Sequence, residues 1–308
     1  MNKKVFILVL IIAGALTGIY QFTQNKDKAL SSGELVYDHA LGRTTLNKNP
    51  ERLVVFDYGV LDALDVLDVD VIGLPKASLP TLLRKYEDEK YIDTGSLKEP
   101  NLEKIAEIKP DLIIISGRQQ DYYEALSEIA PTLYMPIDNT NYLKSFKENM
   151  AILGEIFEKE EGVAEQLTKI EAEIEKLHLY TSSKNLTGLI VLLNGKSISA
   201  YGNGSRFGII HKEFGITAID PSIEVSTHGY SIGPEYFVSH KADYLFVIDR
   251  TAVVSDGGSS DGILDNELVR QSYNEEQIIY LNPEIWYISV GGFQSTLEMV
   301  KEITAAIK

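Results

Sequence analysis

From Arg52 onward the chain alternates between two kinds of apolar pattern. Short runs rich in β-branched residues read as buried strands: "RLVVFD", "VIGLP" ended by Pro75, "LIIIS" and "TLYMP". Between them, apolar residues recur three and four apart, as one face of a helix requires. In "YGVLDALDVL" these are Val60, Leu61, Leu64 and Leu67; "NLEKIAEI" and "DYYEALSEIA" repeat the spacing. Strand–helix alternation predicts a parallel sheet with helices on its faces.

The pattern changes between Asn141 and His178, where hydrophobic positions at three and four continue with only Gly154 and Gly162 as interruptions. Glu/Lys pairs cover the polar face. This is one long helix or two abutting ones, on the order of 50 Å if continuous. Alternation then resumes with "LTGLIVLLN", "SISAYG", a helix in "RFGIIHKEFG", "YFVSH", strands in "YLFVID" and "QIIYLN", and a closing amphipathic helix "QSTLEMVKEITAAIK". The predicted fold is α/β: two α/β lobes with mainly parallel sheets, joined by a long backbone helix, with a ligand cleft between the lobes. The expected limits are an N-terminal segment 1–20, a polar tether 21–45, a first lobe 46–140, the connecting helix 141–178 and a second lobe 179–308. Clefts between domains are preferred places for small-molecule sites, and a helical connector limits hinge closure.

The first 20 residues have another character. "MNKK" supplies positive charge and "VFILVLIIAGALTGIY" is apolar, which reads as a secretory signal or an uncleaved membrane anchor. The run is short for a span, which needs roughly 20 residues. "AGA" offers a small-residue cleavage site. "LTGI" has the outline of a lipoprotein box, but Ile19 stands where the lipidated cysteine belongs, so a lipid anchor is excluded. The expected location is the periplasm or cell envelope.

Composition narrows the chemistry. With no cysteine among 308 residues, disulfides, thiolate metal sites and thiol nucleophiles are absent. A formal charge of −16 argues against a nucleic-acid partner. No nucleophile elbow, zinc motif or cofactor fingerprint is present, so an exported two-domain enzyme is the weaker reading. "SDGGSSDG" from Ser255 reads as an exposed loop and "GNGSRFG" lacks a dinucleotide-binding spacing. One short stretch stands out: "STHGYSIGPEYF" places His228 before Gly229, on a turn preceding a helical segment. His39, His178, His211 and His240 show no ligand-like spacing.

"NLEKIAEIKPDLIIISGRQQDYYEALSEIAPTLYM", together with the layout and the export signal, resembles the periplasmic siderophore-binding proteins of ABC importers, the helical-backbone class that also carries haem and cobalamin. The likeness spans about residues 34–308 and is greatest to catecholate-siderophore binders of the CeuE type. It implies a binding protein that is no enzyme and has no intrinsic cofactor, with a ferric catecholate siderophore as ligand. It implies His228 and Tyr287, in "EIWYISVGG", as iron ligands. Arg118 in "SGRQQ", Arg206 in "GNGSRFG" and Arg250 in "VIDRTAV" would surround the siderophore. It implies one permease-docking glutamate per lobe, Glu103 in "NLEKIA" and Glu235 in "GPEYF", on a monomer that meets the ABC permease of the inner membrane.

The chemistry suits these residues. A ferric catecholate is anionic, and guanidinium is planar, permanently charged and able to donate in parallel to paired oxygens. A tetradentate ligand leaves two of six iron positions open, which a phenolate and an imidazole would fill. The glycines after His228 and Tyr287 would make both loops pliable. Trp286 would stack on a catechol ring or pack in the core. Haem, cobalamin or a hydroxamate siderophore are the alternative cargoes.

Overall fold

The computed structural model describes residues 33–307 except 225, 227, 255–257 and 259. The expected N-terminal signal or anchor lies outside the described residues, as do four of the eight residues of "SDGGSSDG"; of the others, Ser260 is buried rather than exposed. No helix among the described residues is long and apolar enough to cross a membrane.

The chain is α/β, as expected. Two strands come first: β1 (Glu34–His39) and β2 (Gly42–Asn47) form a hairpin. This corrects the tether expected over 21–45 wherever residues are described. Thr44 and Leu46 are buried on alternate positions of β2, and the Thr44 hydroxyl donates to the Thr132 carbonyl at 2.5 Å. The surrounding charged and polar residues conceal that two-residue period in the sequence.

The first lobe is built on β3 (Leu53–Val55), β4 (Gly73–Leu74), β5 (Ile92–Asp93), β6 (Leu112–Ile115) and β7 (Thr132–Tyr134). They pair in parallel in the order β5-β4-β3-β6-β7. All residues of β3 and β6 are buried, as expected of continuous apolar runs in a sheet covered on both faces. Helix α1 (Tyr58–Val66) follows β3, and the Asp57 carboxylate caps it by accepting from the amides of Gly59 and Val60. Helix α2 (Leu102–Ile108) is capped by Asn101 and closed by Lys109 in a left-handed conformation ahead of Pro110.

The backbone helix is two helices, α3 (Tyr142–Phe157) and α4 (Glu160–Lys184). Neither glycine makes the break. It falls at Glu158, which turns left-handed with φ 53°.

The second lobe contains β8 (Thr187–Asn194), β9 (Ser197–Tyr201), β10 (Thr217–Ala218), β11 (Tyr230–Ile232), β12 (Tyr244–Asp249) and β13 (Ile278–Leu281). Its sheet runs β11-β9-β8-β12-β13, with β10 also paired to β8. The β8, β10, β12 and β13 pairings are parallel, while β9 is antiparallel to both neighbours. A short helix α5 (Glu235–Ser239) follows β11. The last helix, α6 (Phe293–Ala306), packs on α1 and α4. The chain therefore returns to the first lobe, and the expected limit of the second lobe at 308 does not describe its last helix.

In each lobe the strand order reverses beside a central pair, β3/β6 in the first and β8/β12 in the second. Ligands of doubly wound sheets bind outside the carboxyl ends of strands at such a reversal. Arg118 follows β6 and Arg250 follows β12.

A candidate anion-binding cleft

Three arginines meet at one tyrosine. Tyr287 sits in a π-helical turn, Glu284–Ile288, after β13. Its carbonyl oxygen accepts from Arg118 Nη2 at 2.6 Å and from Arg206 Nη2 at 3.0 Å. Its phenol oxygen accepts from Arg250 Nε at 2.7 Å. The Arg206 guanidinium also lies over the ring, 4.0 Å from its centroid, with those of Arg250 and Arg118 at 5.5 and 5.9 Å. Arg118 comes from the first lobe, Arg206 and Arg250 from the second.

The local sequence explains each placement. Arg118 lies on the 3₁₀ turn Gly117–Tyr122 that ends β6; Gln119, buried behind it, accepts from the Ser116 amide at 3.1 Å and donates to the Leu97 carbonyl. Arg206 lies in the turn between β9 and the short helix Ile209–Lys212, just before that helix rather than inside it. Arg250 is held from its other end by Asn194, the last residue of β8, whose side-chain oxygen accepts from Nη1 at 2.6 Å. Gln119 and Asn194 carry no motif that singles them out in the sequence.

Among the described residues none of the three arginines forms a salt bridge. Burial and the neighbouring Arg118 charge lower the Arg206 guanidinium to about 10. Tyr287 responds in the opposite sense. Burial alone would raise its phenol, but Arg206, Arg250 and Arg118 outweigh that, and its pKa falls below the ordinary tyrosine value. Tyr201, next to the same cluster, is dominated by burial and rises to about 12. One phenol is thus readied to carry negative charge and its neighbour is not.

The cleft beside this cluster has a volume of about 470 Å³, with Asp57, Ser116, Arg118, Tyr134, Ile137 and Arg206 in its wall. A second cavity, about 770 Å³, lies in the second lobe among Asp220, Glu224, Tyr230, Tyr236 and His240. Its carboxylates make it the wrong sign for an anion. Asp220 is held ionised by hydrogen bonds from Ser222 and Tyr236.

His228 does not join the cluster. It is exposed, and its described hydrogen bond is from its backbone amide to Ser226 Oγ at 3.2 Å. Gly229 beside it is not a pliable joint. It is left-handed, φ 73°, and a Cβ there would lie 2.8 Å from the Tyr201 ring, so the loop is pinned next to the arginine cluster. Gly291 and Gly292 after Tyr287 are likewise sites of close packing, against Ile137 and Asp62. Trp286 is core: it is buried, and its indole donates to Glu302 at 2.7 Å. Glu103 and Glu235 are both exposed in the first turns of α2 and α5. The other histidines make local contacts: His39 with Thr44, His178 with the Glu213 carbonyl, His211 with the Ile216 carbonyl and His240 stacked on Tyr236.

A family model described as periplasmic binding protein matches residues 53–285. The chain belongs to the periplasmic binding protein family. It is 41% identical over 289 residues to the petrobactin-binding protein YclQ of Bacillus subtilis, covering 92% of this chain and 91% of that protein. The crystal structure of YclQ superposes with a TM-score of 0.86 over 89% of this chain and 99% of that one. The ferric-anguibactin-binding protein FatB of Vibrio anguillarum is 31% identical over 277 residues, 87% of this chain and 86% of its own. The periplasmic catecholate-siderophore binding protein VctP of Vibrio cholerae is 33% identical, with a TM-score of 0.83 over 88% of this chain and 99% of that one. These relatives are binding proteins rather than enzymes, and so is this chain.

Proposed function

We propose that this protein captures an anionic ferric catecholate siderophore outside the cytoplasmic membrane and, as a monomer, delivers it to an ABC permease. The observation that carries this reading is the convergence of Arg118, Arg206 and Arg250 on Tyr287, with no salt bridge to any of the three among the described residues, in a chain of net charge −16. Guanidiniums gathered at a cleft, two of them, Arg118 and Arg206, in its wall, call for an anionic ligand that accepts several charge-assisted hydrogen bonds. Petrobactin, ferric anguibactin and a catecholate siderophore, which the relatives' names give as their ligands, support the same class.

In this reading Arg118 and Arg206 exchange their bonds to the Tyr287 carbonyl for bonds to catecholate oxygens. Arg250 stays on the phenol oxygen and favours its ionised form, the form that bonds to Fe(III) in place of water. His228, one residue from the glycine pinned on Tyr201, swings in from the rim to the remaining position when the siderophore supplies only four donors. Glu103 and Glu235 face the permease, one from each lobe.

The test is a titration with a ferric bis-catecholate, followed by quenching of Trp286, the single tryptophan, and by the phenolate-to-iron charge-transfer band. Binding with a shifted band in the parent, and loss of the shift in Tyr287→Phe, is the expected result. An identical band in both proteins removes Tyr287 from the metal.

A further inference from the structure

The segment that carries Tyr287 does not hang freely from the second lobe. Glu284, at its start, accepts from the Thr81 amide of the first lobe at 2.8 Å. Further on, the backbone of α1 lies against it: a Cβ on Gly59 would stand 2.2 Å from the Val290 carbonyl oxygen. Then the chain enters α6, whose N-cap residue is Gly292 and has no side chain to cap with. The missing cap comes from another helix. Asp62 of α1 accepts from the amide of Gln294 at 3.2 Å and from that of Ser295 at 2.8 Å. These are the second and third residues of α6, the amides that an N-cap side chain ordinarily satisfies. Glycine at 292 makes room, since a Cβ there would lie 2.1 Å from Asp62 Oδ2. Asp62 is fully buried, so its carboxylate has no water to turn to. The Tyr142 and Thr296 hydroxyls, 2.9 Å apart, and the Phe146–Phe293 ring contact continue the same attachment.

We propose that Asp62 is a positioning residue for the binding site: by capping α6 from the first lobe it fixes the strap 284–292, and with it the point at which arginines of both lobes meet on Tyr287. This rests on the function proposed above. Arg118 reaches the Tyr287 carbonyl from the first lobe and Arg206 from the second. Both bonds persist only while the strap keeps its place between the lobes. Without the cap the strap drifts from α1, and Tyr287 loses part of the positive charge around it.

Two variants, Asp62→Asn and Asp62→Ala, test this against Leu153→Ala, a core substitution in α3. The first readout needs no ligand: the absorbance titration of Tyr287, identified by its loss in Tyr287→Phe. The second is affinity for a ferric bis-catecholate. In Asp62→Ala the Tyr287 titration moves up toward the ordinary tyrosine range and affinity falls by about tenfold to a hundredfold. Asp62→Asn, which keeps one acceptor, falls between this and the parent. Leu153→Ala loses thermal stability and moves neither readout. Parent-like titration and affinity in the Asp62 variants overturn the proposal. So does Leu153→Ala reproducing both changes, since Asp62 would then act through stability alone. If neither Asp62 variant folds, Gly59→Ala, which wedges the strap off α1 from its other side, carries the same expectations. Should Tyr287→Phe bind like the parent, the ligand reading fails, and the ligand-free titration still judges Asp62.

Discussion

Tyr287 and His228, the two residues that would bond to iron, are held in opposite ways. Tyr287 is bracketed by Glu284 on Thr81, by Trp286 on Glu302 and by Asp62 at the helix that follows, and three guanidiniums lie on it. His228 is exposed on a turn where, among the described residues, Gly229 lies against Tyr201 and the His228 amide donates to Ser226 Oγ. One half of the cleft is preorganised, so little ordering remains to be done when ligand arrives. In the other half the exposed His228 side chain makes no hydrogen bond among the described residues. In the function proposed above, such a site would recognise charge through its preorganised half and accommodate ligands of different denticity through the exposed His228 side chain.

The contrast can be broken most severely at Arg206, whose guanidinium is lowered by burial to about 10 and lies over the Tyr287 ring. Arg206→Gln removes charge-assisted bonds of about 1.5–3 kcal/mol, so the affinity of every anionic ferric catecholate falls by roughly tenfold to a hundredfold. Arg206→Lys recovers little, because the planar fork that sits on the Tyr287 ring is gone. Isothermal titration of both variants checks this, and parent-like binding by Arg206→Gln would misplace the pocket.

The exposed half is sharpened by ligand choice. His228→Ala weakens a tetradentate ferric bis-catecholate by about tenfold and leaves a hexadentate tris-catecholate nearly unchanged, because only the former has an open iron position. Equal losses for both ligands would deny coordination by His228. Without ligand, the preorganised half has its own signature. In a pH titration of tyrosine absorbance, one of the 17 tyrosines ionises below the ordinary range, and Tyr287→Phe abolishes that step. The sign follows from the cause: three adjacent cations favour the phenolate, so it forms at lower pH, whereas Tyr201 ionises late.

The smallest effect on binding is expected at Glu103 and Glu235, exposed on opposite lobes. Glu103→Ala with Glu235→Ala leaves ligand affinity within about twofold, since isolated surface charges contribute little, but lowers uptake of labelled ferric siderophore by cells. Normal uptake would remove the docking role, and lost affinity would move these residues into the pocket or the fold.

The rigid half was legible in the sequence because strand ends are. "DLIIIS" followed by Arg118 and "YLFVID" followed by Arg250 put an arginine at the carboxyl end of a buried strand, where such sheets bind ligands. The family likeness supplied the roles of all three arginines, His228 and Tyr287; the approach of Arg206 to Tyr287 is encoded by no local pattern. The hairpin 34–47 was hidden because only Thr44 and Leu46 are fully buried, too few to outweigh polar neighbours. Asp62 was unreadable for a related reason. In "YGVLDALDVL" it looks like a solvated residue on a helix, and only the return of α6 to the first lobe shows why a carboxylate is buried there. Glycines misled in one direction: those beside His228 and Tyr287 read as flexibility, and the structure uses them for close approach.

The central claim is that the three arginines on Tyr287 select an anionic ferric siderophore. It is tested most directly by measuring fluorescence-quenching affinities for an anionic ferric tris-catecholate and a neutral ferric trihydroxamate of similar size. The measurement is made on the parent and on Arg118→Gln/Arg206→Gln/Arg250→Gln, with folding checked by circular dichroism. A strong preference for the anion in the parent, collapsing in the triple variant, is the predicted result. A parent without that preference, or a folded triple variant that keeps it, would contradict the account.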